Sequence, residues 1–377
     1  MLKRLFFFLV LLVGSISLIR STMGQGTDFF VYWKAGRALL EGHSVYDLEK
    51  FGGMIFKYPP WLAPFFIPIS LLPFEFAKFI WGVLGVFSIF TMMKILKNFA
   101  QVKLEILFAL GLLYWGIWAI HALDGQVAIP LMALALFSLT RKSPALDAMN
   151  AIALSSKVFT VFPLLLEWKR YWKPRTLLIV VSTVLLSTAF VIVKTDSTPS
   201  RVIGEWREAA SSGAKYLPEG NTRGKKNPSL SNYTASLFAV PVQDSKTEVV
   251  IALIFFALAA LYLIGFTQNQ DYFTRFCIAL ALTPVAHPLP WLHLFSWTFP
   301  LMAITANLAW QQRARRDVGF VFAASLLVLA ILMVPLGAES ALGAMGSWFE
   351  WHAGKGFGTV FLVGSQFILQ QHLAKSV

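Results

Sequence analysis

Ten stretches of the chain, each 14 to 21 residues long, are too apolar to face water: Leu5–Thr22, Phe76–Leu96, Leu104–Ile120, Val127–Thr140, Thr176–Val193, Val249–Phe266, Phe273–Ala286, Trp291–Ala309, Val318–Leu336 and Phe357–His372. A helix needs roughly 20 apolar residues to cross a bilayer, with about 17 to 25 as the usual range. The longer stretches therefore predict spanning helices, and the shorter ones recruit aromatic or polar neighbours at their ends. Composition agrees: Asp, Glu, Lys and Arg supply 14% of the 377 residues, against roughly 25% in soluble domains. The expected architecture is all-α and polytopic, a single integral membrane domain over residues 1–377. The lone Cys277 excludes a disulfide framework and any Cys-based zinc site.

Two further apolar stretches do not fit an unbroken span. Pro59–Pro73 carries five prolines, each of which removes a helix hydrogen bond, and it reads as a broken segment dipping into one face. Leu146–Trp168 is interrupted by Ser155, Ser156, Lys157 and Pro163, which predicts two half-helices with a polar apex. Charge tests this map. With the N-terminus cytoplasmic and both broken segments returning to the side they left, the cytoplasmic stretches hold 16 basic residues against five acidic, and the external ones 13 against 12. Most of the net charge of +13 thus lies on one side, as the positive-inside rule requires, and nucleic-acid binding is set aside. Both termini are then cytoplasmic. Leu5–Thr22 has the positive start and apolar centre of a signal peptide but no close small-x-small cleavage site, and is read as an uncleaved first helix. The main external loops are 24–57 and 194–246, the second long enough for a binding lid.

In so apolar a chain the clustered polar residues carry the information. Asp28 follows the first span by about one turn, among Phe29, Phe30, Tyr32 and Trp33. A carboxylate in aromatic company at a membrane surface is partly desolvated, which makes it a better base; the alternative is an N-cap for the amphipathic run Phe29–Leu40, ended by Gly42. His121–Gln126 is a short polar link, either a turn pivoting on Gly125 or part of a site. The external basic run Arg223, Lys225 and Lys226 precedes Asn227 and Ser229 and is either a solvated face or an anion contact. His287 and His293 flank Trp291; they lack an adjacent second-shell carboxylate, so a metal is not expected there. Lys157 within an apolar segment costs about 2.5–3.5 kcal/mol at mid-bilayer on insertion scales, so it should face a cavity or an anion. Phosphate-binding loops, dinucleotide fingerprints, zinc-protease and serine-hydrolase motifs are absent.

Read in order, these pieces resemble the family-87 glycosyltransferases of the GT-C class. The resemblance is carried by Asp28, by Gly42-His43-Ser44-Val45-Tyr46, by Tyr58-Pro59-Pro60 and by Leu72-Pro73 before a Trp-containing helix. Gly125-Gln126, the Lys157…Pro163 segment, Asn227-x-Ser229 and Pro288-x-Pro290-Trp291-x-His293 continue it. His287-Pro288 stands where a Ser-Pro pair is expected, and Leu294 where a second His can follow the first, so either histidine is eligible for the family role. The resemblance implies a GT-C-type bundle whose external loops form the site. It also implies transfer of a mannose-like hexose or an arabinofuranose from a polyprenyl-phosphate donor to a glycolipid or glycan acceptor, outside the plasma membrane. It makes Asp28 the general base of a single inverting displacement, with His293 (or His287) orienting it or the phosphate. Lys157, Arg223, Lys225 and Lys226 are the implied phosphate contacts; Tyr58, Gln126, Asn227, Ser229, His287 and Trp291 complete the substrate-binding set. No metal or other cofactor is implied, because a lipid phosphate leaves without a nucleotide to hold. A flippase of lipid-linked sugars would instead show repeated halves and polar breaks at mid-membrane; a non-catalytic envelope scaffold would make no demand on Asp28.

Overall fold

The computed structural model describes residues 2–47, 56–155, 162–166, 168–211, 229–238, 245–268, 270–287, 291–335 and 354–374. Lys157, Arg223, Lys225, Lys226, Asn227 and the Pro288–Pro290 link lie outside them. All regular structure among the described residues is helical: α1 (Leu2–Gly24), α2 (Thr27–Leu40), a 3-10 turn (Pro60–Phe66), α3 (Ile67–Ser70), α4 (Phe74–Asn98), α5 (Leu104–Leu113), α6 (Trp115–Asp124), α7 (Ala128–Leu139), α8 (Pro144–Leu154), α9 (Phe162–Leu166), α10 (Trp168–Tyr171), α11 (Pro174–Lys194), α12 (Pro199–Ser211), α13 (Leu230–Leu237), α14 (Ser245–Phe266), α15 (Tyr272–Ala286), α16 (Trp291–Leu294), a second 3-10 turn (Phe295–Thr298), α17 (Phe299–Gln311), α18 (Val318–Met333) and α19 (Gly354–Ala374).

Helices occupy all ten apolar stretches, but not as ten straight rods. Among the described residues, α4, α11 and α14 are each long and apolar enough to cross a membrane unaided. Two further spans arise if bent pairs count as one: α1 with α2, bent by 63°, and α5 with α6, bent by 59°. Helices such as α7, α15 and α18 are apolar but shorter. Large apolar side chains stand out along α11 (Leu178, Leu185, Leu186, Val193) and α14 (Val250, Leu253, Leu258, Leu261). A water-soluble protein would bury such rows, whereas hydrocarbon accepts them. This is an all-helical, polytopic membrane protein.

The chain divides into two compact units. The first contains Met1–Thr91, Trp118–Val158 and Lys169–Tyr216. Its core is built on α2, whose buried Phe29, Tyr32, Ala35 and Leu39 recur at helical spacing on one face. That face meets the proline-broken segment, which runs as a 3-10 turn and then as α3, since its prolines cannot sustain one α-helix. The approach is close because position 36 is glycine: a Cβ there would stand 2.2 Å from Ser70 Oγ. The Ser70 hydroxyl lies 2.7 Å from both the Trp33 and Phe66 carbonyl oxygens, and Trp33 Nε1 donates to Leu72 O at 3.0 Å.

The second unit contains Met92–Ile117, Phe159–Trp168 and Leu217–Val377. Its spine is α15, buried from Phe273 to Ala286 at every residue but Arg275 and started by Asp271, whose carboxylate accepts from Thr274 N and Oγ1. Hydroxyls and amides stitch neighbouring helices: Tyr114 to Thr298 (2.6 Å) and Thr305 to Gln366 (2.8 Å). Gly358 admits close packing of α19 on α18, since a Cβ there would fall 2.8 Å from Met333 Cβ.

Candidate functional site

Asp28 sits in the first turn of α2, half-buried. It is not the N-cap. That position belongs to Gly26, in the left-handed conformation (φ 57°), whose own N–H donates to Leu123 O at 2.9 Å. The 63° bend between α1 and α2 passes through Gly26 at a positive φ that glycine supplies without strain. Asp28 is thereby moved inside the helix, where the unpaired N–H groups of the first turn favour a negative charge.

The link after α6 closes on the same point. The turn does pivot on Gly125 (φ 68°), where a Cβ would stand 2.6 Å from Phe29 Cβ, so only glycine lets this turn seat against α2. Trp81 Nε1 donates to Gly125 O at 2.9 Å and anchors the turn to α4. His121 Nε2 accepts from Ile129 N at 2.9 Å, which places the proton of the neutral ring on Nδ1. With the turn so held, Gln126, only 6% exposed, donates from Nε2 to Asp28 Oδ2. The turn and the site are therefore one feature, and two residues 98 positions apart form a carboxylate–amide pair.

Tyr58 joins this cluster. Its hydroxyl is 2.7 Å from that of buried Tyr32, and its carbonyl accepts from Tyr46 Oη at 2.9 Å. Burial first, and the nearby Asp28 charge second, push the Tyr58 phenol well above its ordinary value, so it keeps its proton. Lys57, which the sequence did not single out, lies within electrostatic reach of Asp28. Desolvation by the surrounding protein lowers its ammonium below the ordinary lysine value, and Asp28 pulls the other way. The Lys57 carbonyl accepts from Trp206 Nε1 of α12 at 3.3 Å. The available signal was its place directly before Tyr58-Pro59-Pro60.

The remaining described candidates belong to the second unit. Ser229 is buried and its carbonyl starts α13 by accepting from Tyr233 N at 3.0 Å. Ser231 Oγ donates to His287 O at 3.3 Å, so the segment after Asn227 meets the end of α15. His287 is half-buried and follows α15; His293 is buried within α16, the short helix that begins at Trp291. Among the described residues no three His, Cys, Asp or Glu side chains gather as a metal-binding group.

Chemically, the first-unit cluster offers an oriented carboxylate, a phenol that stays protonated and a cation. No curated protein and no solved structure matches the chain. The sequence model of glycosyltransferase family 87 matches residues 56–288, a stretch that contains Lys57, Tyr58, Gln126 and His287. Matched over more than half of its length, the chain belongs to glycosyltransferase family 87.

Proposed function

We propose that this membrane glycosyltransferase moves one sugar, a mannose-like hexose or an arabinofuranose, from a polyprenyl-phosphate donor to a hydroxyl of a glycolipid or glycan acceptor. The reaction takes place on the outer face of the plasma membrane, with both termini cytoplasmic. The observation that carries this reading is the Asp28–Gln126 pair at the start of α2. A general base needs a carboxylate that is held in one orientation toward the acceptor. The Gln126 amide supplies that hold on the Asp28 carboxylate.

The step balances without further reagents. Asp28 takes the proton of the acceptor hydroxyl while its oxygen bonds to the anomeric carbon. The bond from that carbon to the phosphate oxygen breaks, the electron pair leaves with the polyprenyl phosphate, and the anomeric centre inverts. Phosphate is already a good leaving group, so neither a second carboxylate nor a metal is required. Lys57 is suited to the developing phosphate charge, with Lys157, Arg223, Lys225 and Lys226 as further cations and Asn227, Ser229 and Trp291 as substrate contacts. His293 or His287 orients the phosphate or the base.

Incubating the purified protein with several polyprenyl-phosphate sugars and weighing the products tests the donor class; transfer from none of them overturns it. Asp28→Asn should abolish transfer while the protein still expresses and binds donor. Substantial retained transfer removes Asp28 from the mechanism.

A further inference from the structure

In the second unit the last turn of α4 and the start of α5 meet the end of α17. Because α4 is long and apolar enough to cross a membrane, its end stands at a membrane surface. One buried amide sets the geometry there. Asn307 of α17 accepts from Lys103 N at 3.1 Å and donates from Nδ2 to Gln101 O at 3.3 Å, which pins the link between α4 and α5. Three residues on, Trp310 is exposed. Lys103 Nζ lies over its indole ring, 5.6 Å from the centroid, and the Arg313 guanidinium lies over the same ring at 4.6 Å. Arg313 Nη1 also donates to Trp310 O at 2.8 Å. Gln312, directly before Arg313, is buried and donates from Nε2 to Leu369 O of α19 at 3.0 Å, so the root of Arg313 is held as firmly as that of Lys103.

We propose that Lys103 and Arg313 together hold the phosphate of an anionic glycerophospholipid, with Trp310 at the level of its headgroup and its acyl chains against Phe99 and Leu104. Charge selects the ligand. Two cations share one ring, and among the described residues neither forms an ion pair with a carboxylate. The carboxylates nearest in sequence serve helix starts instead: Asp317 Oδ1 accepts from Phe320 N at 2.8 Å, and Glu105 lies in the first turn of α5. Surface chemistry selects a lipid over a free phosphate or an acidic peptide. Phe99, Leu104 and Trp310 are all exposed around the two cations, and a basic, aromatic rim at the end of a span is what the headgroup layer accepts. A zwitterionic lipid carries its own cation beside the phosphate and so gains less from the pair. Neither Asp28 nor the transfer reaction enters this argument. The proposed topology puts the bound lipid in the cytoplasmic leaflet.

Native mass spectrometry of the full chain in detergent tests this. The probes are dioleoylphosphatidylglycerol, dioleoylphosphatidylcholine and soluble glycerol 3-phosphate. The first phosphatidylglycerol should bind the unaltered chain about tenfold or more tighter than the first phosphatidylcholine, and glycerol phosphate should not displace it. Lys103→Gln combined with Arg313→Gln should weaken that first phosphatidylglycerol by about 30-fold, a factor of about five for each cation. Lys173→Gln combined with Arg175→Gln, which removes the same charge from the first unit, should leave it in place. Equal binding of the two lipids, displacement by glycerol phosphate, an affinity unmoved by the 103/313 pair, or an equal loss from the 173/175 pair overturns the proposal. The lipid comparison on the unaltered chain needs no variant to fold. An exchange, Lys103→Arg with Arg313→Lys, keeps both charges and must keep the preference; its loss also overturns the proposal.

Discussion

Two carboxylates of the first unit, Asp147 and Asp28, differ in their surroundings. Asp147, at the start of α8, is met directly by Arg170, with Arg170 Nε 2.7 Å and Nη2 2.6 Å from Asp147 Oδ1. The same guanidinium reaches the carbonyls of Ser138, Leu139 and Arg141, which end α7. Beside it, Asn150 Nδ2 donates to Tyr171 Oη at 2.7 Å. Charge meets charge and the helix end is capped. Asp28 receives the amide of Gln126, whose carbonyl oxygen has no hydrogen bond, and Lys57 lies in electrostatic reach. The contrast separates two uses of polarity in a membrane protein. Asp147 is neutralised by its guanidinium partner, while Asp28, the proposed base, is oriented by an amide.

The sharpest way to break this comparison is to exchange the two outcomes. Asp28→Asn should lower kcat by about 10²- to 10⁴-fold, the span of a general base, with thermal unfolding unchanged. Arg170→Ala should do the reverse, costing about 3–5 kcal/mol of stability by stranding Asp147, with kcat per folded molecule retained. Denaturation curves and single-turnover rates on the two proteins decide the matter; a large catalytic loss in Arg170→Ala would erase the distinction. A finer test uses pH. Desolvation lowers Lys57, so its proton leaves at a lower pH than that of a free lysine, and the alkaline fall in kcat/KM should begin correspondingly early. Lys57→Arg keeps its charge through that range and should move the falling limb upward. An unmoved limb would show that Lys57 does not carry the effect. The smallest change is expected from Trp206→Phe, which removes the bond to the Lys57 carbonyl while keeping most of the contact with Trp61 at 5.6 Å. About 0.5–1 kcal/mol of stability should go, with a modest rise in KM for the donor.

The sequence made some of this legible. A carboxylate placed one turn after an apolar stretch, and a Gly-Gln pair in a short polar link between two others, identified Asp28 and Gln126 separately. Their contact could not be read, because it depends on Gly26 and Gly125 adopting left-handed conformations that hydropathy does not encode. The same blindness hid the bends: Leu104–Ile120 is evenly apolar, yet the helix breaks at Tyr114, whose hydroxyl turns to Thr298. Lys57 was passed over because its meaning lies in its distance from Asp28, across an intervening loop. The N-cap reading of Asp28 failed for a related reason. Local pattern offers Asp as a cap, whereas the bend after α1 places its N-cap residue at positive φ, and glycine took the position.

Gly125 sets a limit that reaches beyond the wild-type chain. Since a single added carbon there would collide with the Cβ of Phe29, codon saturation at position 125 should return glycine alone among functional clones, even though this residue has no side chain to offer the reaction. A hydrogen atom is the spacer that keeps the amide in register with the acid. The site's alignment is therefore inherited through a position that chemistry-minded mutagenesis would leave untouched.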